Sequence, residues 1–330
     1  VLAFLLRRLG YLVLLVAVSA SAAYLLAATQ LNPRSRYDGR NPPPPEAAID
    51  AALDAVNMND KTPVAVRFGR WAGGVVHADL GLTIDGTSVN EEISRRMWVS
   101  LRLVLIGSFL GTLLGVAAGA FGAIKQYRLP DYVLSTFSFV ALSMPVVVLA
   151  VLLKNAGIGL NNALGFTGET KLLYTVGEIT PGLDPWSWSG LANRAAHLAL
   201  PSLALTIMAV AFYSRYQRNA MLDVLSSDFL RTAQAKGLRR WRALVTHGLR
   251  TALIPMATFF AYQFALLFVG ATFTERVFGW HGMGEYFVDA VTRNDINSVA
   301  GVTLFVAVLV LIAGFLSDLA YAALDPRVRV

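Results

Sequence analysis

The 330 residues include no cysteine. Disulfides, thiolate metal sites and cysteine nucleophiles are excluded, while the redox compartment stays open. Charge is scarce as well: 15% of the residues are Asp, Glu, Lys or Arg, against about 25% in a soluble domain. The scarcity is uneven, since six windows carry no charged residue at all: 9–33, 103–124, 132–153, 195–214, 251–274 and 296–317. Catalytic signatures are missing too. There is no Gly-x-x-x-x-Gly-Lys-Ser/Thr phosphate loop, no His-Glu-x-x-His and no Gly-x-Ser-x-Gly, so neither an ATP site of that kind nor a hydrolase centre is expected. The histidines His77, His197, His247 and His281 stand singly, without metal-ligand spacing. The chain is expected to have no catalytic residue, no cofactor and no metal of its own.

What is present is apolar. Each window approaches the roughly 20 residues that cross about 30 Å of hydrocarbon. In lipid the backbone must satisfy its own hydrogen bonds, so these windows are helices. A barrel would alternate polar and apolar residues, which they do not. The reading is an all-α membrane protein with six transmembrane helices. No window has a charged residue at its centre, whereas proton relays and ion-coupled carriers usually need some buried ionisable groups. A conduit whose energy comes from elsewhere is the reading that follows.

The net charge of +7 raises nucleic acid as a partner, but the basic residues sort by loop, as they do on the cytoplasmic side of membrane proteins. Arg7 and Arg8 precede the first window. Lys125 and Arg128 lie in loop 125–131, Arg215, Arg218, Arg231, Lys236, Arg239, Arg240, Arg242 and Arg250 in loop 215–250, and Arg327 and Arg329 in the tail. With six alternating spans, all four segments share one side. Both termini are therefore expected in the cytoplasm, the bilayer is the surrounding partner, and no nucleic acid is expected. The first window exceeds the apolar core of a signal peptide and reads as an uncleaved span.

Three regions result: 1–31 with the first span, an extracytoplasmic helical insertion at 32–98, and a five-helix core at 99–330. Within the insertion, Ile49, Leu53 and Val56 have helical spacing. Thr62-Pro63 reads as the start of a helix with the stripe Val64, Phe68, Trp71 and Val75. Ser88-Val89-Asn90-Glu91 reads as a capping box opening a third helix ahead of span two. Span two carries Gly107, Gly111, Gly115 and Gly119, a ladder of small residues suited to close helix packing. Pro145 predicts a kink in span three. Pro255 is placed in the first turn of span five. Gln263 is the one strongly polar side chain of span five, either lining a pathway or bonding a neighbouring helix.

The most informative stretch is cytoplasmic: Ser227-Asp228-Phe229-Leu230-Arg231-Thr232-Ala233-Gln234-Ala235-Lys236-Gly237-Leu238-Arg239-Arg240-Trp241-Arg242. Asp228 suits a helix start, where the dipole favours negative charge. Thr232, Ala233, Ala235 and Lys236 form a slim surface able to enter a cleft. Gly237 permits a left-handed turn. Arg239, Arg240 and Arg242 suit either acidic groups on a partner or the anionic inner leaflet.

This stretch, with His247-Gly248-Leu249-Arg250 and Leu253-Ile254-Pro255 after it, resembles the loop by which permease subunits of bacterial ABC importers dock on their ATPases. Phe68, Trp71, Gly73, Gly74, His77, Asp79, Leu80 and Gly81, then Glu275-Arg276-Val277-Phe278 and Leu324-Asp325-Pro326-Arg327, extend the resemblance to the peptide/nickel branch with a large first outer loop. The chain departs from that pattern at Arg231, at Leu31-Asn32-Pro33, at Met97-Trp98 and at His281. The resemblance implies the type I importer permease fold and a multi-pass place in the bacterial cytoplasmic membrane. It also implies a second, homologous permease, two ATPase subunits holding ATP and Mg, and an extracytoplasmic substrate-binding protein. Short peptides are the implied cargo, with a nickel chelate, glutathione or haem as alternatives. An ATP-independent secondary carrier would have no need of the loop.

Overall fold

A computed structural model describes residues 2–166 and 171–324. Asp325-Pro326-Arg327 and Arg329 of the expected tail lie outside the described residues, as do the side chains of Arg7 and Arg8. Among the described residues the regular elements are helices, with one isolated antiparallel bridge between Leu82 and Ser88. Gly10–Gln30, Val89–Ile124, Val146–Ala163, Trp188–Leu225 and Ile296–Tyr321 are each long and apolar enough to cross a membrane, and the segment Trp241–Phe278, bent by 52°, makes a sixth. The chain divides into two compact units, residues 1–100 with 281–311, and 101–280 with 312–330.

The first unit holds helix α1 (Leu2–Gln30), a 3-10 turn (Pro33–Tyr37), α2 (Glu46–Ala55), α3 (Val64–Val76), the start of α4 (Val89–Ile124), α11 (Met283–Thr292) and the start of α12 (Ile296–Leu324). The expected stripes face its core. Leu53, Val56 and Trp71 are buried, and Ile49, Val64, Phe68 and Val75 pack against them. Tyr24 of α1 stacks on Trp71 with ring centroids 4.8 Å apart. The insertion thus shares its core with α1 and with Ile296 and Ala300 of α12.

Polar bonds between distant parts of the sequence fix this unit. The Asn297 amide donates to the carbonyls of Val56 and Leu82, each at 2.9 Å. Asp295 accepts from the Ile84 N–H at 2.9 Å, and from the N–H and hydroxyl of Ser298, capping α12. Burial pushes the Asp295 carboxyl above its ordinary range despite these donors. Arg34 binds Asp50 at 2.5 Å and Asp60 at 2.7 Å, while Lys61 binds Asp50 at 2.6 Å. Lys61 and then Arg34 hold Asp50 below the usual carboxylate range, and Arg34 does the same to Asp60.

The helix expected to open at Thr62-Pro63 begins one residue later, with Pro63 itself as the cap. The capping-box helix has no end of its own: α4 runs unbroken for 36 residues, so the third helix of the insertion and span two are one element. No Gly or Pro falls between Val89 and Arg102 to stop it.

The second unit comprises the remainder of α4, then α5 (Leu129–Ser143), α6 (Val146–Ala163), α7 (Trp188–Leu225), α8 (Asp228–Ala235), α9 (Arg240–Ala243), a π-turn (Leu244–Gly248) and α10 (Leu249–Phe278), with the end of α12. α7 is central, packing on α5, α6 and α10. The glycine ladder of α4 meets α7 at the same interval of four. A Cβ on Gly107 would lie 2.8 Å from Leu205 Cβ, one on Gly115 2.6 Å from Tyr213 Cβ, and one on Gly119 2.8 Å from Gln217 Cβ. At Gly111 it would collide with Ala209 Cβ. The opposite face of α4 exposes Leu105, Phe109 and Leu113. Small residues on one face and bulky apolar ones on the other separate the helix–helix side from the lipid side.

Pro145 does more than kink span three. α5 ends at Ser143, and Pro145 starts α6 as its cap, because a residue before proline avoids the helical region and proline gives no N–H to a preceding turn. α6 then runs past the expected limit at 153, so Lys154 lies midway along it. The ammonium donates to the Val277 carbonyl at 2.6 Å, in the last turn of α10, where the helix dipole favours a cation. Pro255 is likewise interior to α10 rather than in its first turn, because helical backbone already starts at Leu249. The 52° bend follows between Ala257 and Tyr262.

Candidate functional site

The segment between α7 and α10 is a helix clipped onto the ends of its neighbours. Ser227 precedes α8 in extended conformation, and Asp228 occupies the first turn. The far end closes through two reverse hydrogen bonds: Leu238 N–H to Ala233 O at 3.3 Å and Gly237 N–H to Gln234 O at 2.9 Å. This is the Schellman closure, which requires a left-handed residue just past the helix. Gly237 provides it at φ +90. Ala233 and Leu238, at the two ends of that closure, both pack on the cluster that contains buried Leu230. The cluster holds Ala123 of α4, Met221 and Val224 of α7, and Ala243, Leu244 and Ala252 beyond the loop.

The other face is open. Asp228, Arg231, Thr232, Ala235, Lys236, Gly237, Arg239 and Arg242 are exposed. Arg231 approaches Asp228 at 3.7 Å, with both side chains largely in solvent, an ion pair of small energetic weight. Arg240 opens α9; its side chain is outside the described ones. Ala233 differs from the sequence expectation. It is half-buried against the cluster and so belongs to the clip, not to the slim outer surface. A helix of eight residues has room for only one apolar stripe, and Leu230 with Ala233 forms it at an interval of three. Two large side chains beside the singled-out residues are exposed instead: Phe229 at 44% and Trp241 at 68%. Their size and their place in a polar loop were the signal available for them.

A charge pair at the base of this loop also escaped the sequence reading. Asp131, at the start of α5, is 3% exposed. The Arg218 guanidinium of α7 donates to both its carboxylate oxygens, at 2.6 and 2.8 Å. The Tyr127 N–H donates as well, at 3.0 Å. Loop 125–131 is thereby fastened to the helix that leads into α8. Nothing in the local pattern sets Asp131 apart from any other acid at a helix start.

Gln263 lies in α10, 4% exposed, and its Oε1 meets no donor among the described residues. It borders a cavity of about 280 Å³ beside the α5–α6 break. It is well separated in sequence from the loop, and the two are distinct sites.

Residues 111–330 match the family described as the binding-protein-dependent transport system inner membrane component. The chain is 49% identical over 324 residues to the oligopeptide transport system permease protein OppB of Mycobacterium tuberculosis, covering 98% of each chain. It is 32% identical over 292 residues to the oligopeptide transport system permease protein AppB of Bacillus subtilis, covering 86% of each. Among solved structures, the inward-facing MetNI methionine ABC transporter aligns with a TM-score of 0.52 and 17% identity, over 71% of this chain and 96% of the other. That likeness is one of fold.

Proposed function

The chain belongs to the family of binding-protein-dependent transport system inner membrane components, and from that premise we propose that it carries short peptides across the cytoplasmic membrane as one permease of an ATP-driven importer. It is a membrane-spanning transport subunit, not an enzyme, and ATP hydrolysis belongs to partner subunits. In our reading the partners are a second, similar permease, two ATPase subunits that hold ATP and Mg, and an extracytoplasmic binding protein. This chain itself binds no cofactor. The peptide cargo rests on the names of the relatives, the oligopeptide permeases OppB and AppB.

The observation that carries the mechanism is the two-faced helix α8. Its inner face is held by Leu230, Ala233 and Leu238, while Thr232, Ala235 and Lys236 stand in solvent. A short helix of this kind inserts its open face in a cleft of an ATPase. When ATP draws the ATPases together, the inner face carries the displacement to the ends of α4 and α7. The exposed Arg239 and Arg242 add charge to the docking surface, Arg231 flanks it, and Gly237 permits the turn that ends it. The small-residue seam at Gly107, Gly111, Gly115 and Gly119 keeps α4 and α7 moving as one body. The pathway opens alternately to the two sides with no bond chemistry on this chain.

We place both termini and loop 215–250 in the cytoplasm and segment 32–98 outside. The cysteine-free chain makes single-cysteine labelling a clean test. Ala48 and Ala235 are both exposed, whereas Ala243 is fully buried and unsuited to labelling. An impermeant thiol reagent applied from outside should label Ala48→Cys and spare Ala235→Cys until the membrane is opened; the reverse pattern contradicts the orientation. Transport itself is tested with the complete complex in liposomes, supplied with binding protein. ATP-dependent uptake of labelled tri- and tetrapeptides is expected. Uptake of a nickel chelate, glutathione or haem with no uptake of peptides would overturn the cargo.

A further inference from the structure

The cavity beside the α5–α6 break is apolar apart from one group. Its walls include Met144, Pro145 and Val146 at the break, Phe212 of α7, and Leu266 and Phe273 of α10. Gln263 is the polar side chain among the described lining residues. The residue is 4% exposed, yet its buried Oε1 has no donor among the described residues. A buried amide oxygen left unpaired is unfavourable, and buried polar groups in folded proteins nearly always find partners. Gln263 is therefore short of one N–H.

A second feature of the same cavity has the complementary need. α6 is a helix of 18 residues that starts at Val146, and Val146 lines the cavity. The first main-chain donors into its turn are Val148 and Leu149, both bonding Pro145 O. The N–H groups of Val146 and Val147 precede them, as the opening groups of any helix do, and form the positive end of the helix dipole. Broken membrane helices with such ends aimed at a central cavity are a recurrent way of receiving a carbonyl or carboxylate in transporters. Proline at the cap fixes that helix start in place, since it cannot continue α5.

We propose that this cavity is a subsite for one peptide unit of the cargo, with Gln263 Oε1 accepting the cargo's main-chain N–H and the start of α6 receiving its carbonyl. The inference rests on the peptide-importer reading above. Its content is that the chain reads the cargo's main chain and not its side chains. The walls offer no charge and no hydroxyl to discriminate between side chains, while every peptide offers the same N–H and C=O. A permease with this subsite passes peptides of varied sequence and slows those whose amide is altered.

The test uses the complete complex in liposomes with saturating binding protein. The cargoes are trialanine and its two single-ester analogues, in which lactate replaces the second or third alanine and an ester oxygen takes the place of one N–H. Wild type and Gln263→Met are compared. Methionine has similar length and removes an unpaired buried group, so complex yield should be unchanged. For one of the two analogues the amide-to-ester rate ratio should fall about tenfold in the variant, the worth of one such hydrogen bond. Any preference of the binding protein is common to both complexes and cancels. An unchanged ratio for both analogues would overturn the subsite. A drop in complex yield would also overturn it, since Gln263 would then bond the second permease. No uptake of trialanine by the wild-type complex would overturn the peptide reading together with this one.

Discussion

The first unit and the α8 segment are both helical, but they are held by different forces. In the first unit, side chains distant in sequence exchange directional hydrogen bonds: Asn297 with Val56 and Leu82, Asp295 with Ile84, Ser100 with Met283. The stacked Tyr24 and Trp71 lie among them. Among the described residues α8's polar side-chain contacts are local, the Thr232 hydroxyl to Asp228 O at 2.9 Å and the Arg231–Asp228 pair. What joins it to the rest is the apolar clip of Leu230, Ala233 and Leu238. Directional bonds break when geometry shifts, whereas apolar contacts tolerate a roll or slide. On the proposed function, a frame that keeps its shape and a coupler that moves would use these two means respectively.

Substitutions can break this contrast one side at a time. The largest effect is expected outside both, at the α4–α7 seam that neither can replace. Gly111→Leu pushes a whole side chain into Ala209, and Gly115→Leu into Tyr213. Overpacking costs about 1–3 kcal/mol where neighbours can shift, and here a helix face must separate, so recovery of the assembled complex should fall more than tenfold. Leu113→Ala, on the exposed face, should leave recovery within twofold. Next comes Trp71→Ala, which removes the stacked ring from the core of the first unit and should cost about 3–5 kcal/mol. Hydrogen exchange should rise throughout residues 46–76 and stay unchanged in α8.

Leu230→Ala is the matching test on the coupler. Leu230 is 2% exposed in a small cluster, so the cost should be about 2 kcal/mol, the lower end for a buried leucine. Here exchange should rise in 228–243 and leave the first unit untouched. If either substitution loosens both regions, the two are one cooperative unit and the contrast fails. The smallest effect is that of acid. Asp50 and Asp60 titrate below their ordinary values, so their bonds to Lys61 and Arg34 stabilise the fold above the unfolded carboxylate value of about 3.9 and are lost as pH falls through the depressed values. Exchange in 46–61, corrected for intrinsic rates, should rise modestly on acidification, and Arg34→Ala should flatten that response.

Much of this was legible because periodic patterns report packing. The stripes of α2 and α3 and the glycine ladder of α4 are features of spacing alone, and spacing survives without coordinates. What the pattern hid was set by single backbone groups or by partners far away in sequence. Pro145 divides a helix because of one missing N–H. Pro255 sits inside α10 because the π-turn before it already holds helical backbone. Lys154 is bonded by the end of a helix more than a hundred residues on, which no local window reveals. Ala233 could be assigned to either face of α8, since alanine suits both; only the position of Leu230 against Val224 and Ala243 decides it. Asp131 gains its meaning from Arg218, 87 positions away.

The central claim is that the open face of α8 docks on an ATPase and transmits its motion. The direct measurement is peptide uptake and ATP hydrolysis, recorded together in liposomes, for the complete complex bearing Ala235→Arg. Ala235 is exposed and outside the clip, so the variant should insert and fold as wild type does. The account predicts that ATPase binding weakens or that hydrolysis continues while uptake falls at least tenfold. Wild-type uptake with wild-type hydrolysis would contradict it, and α8 would then be no coupler.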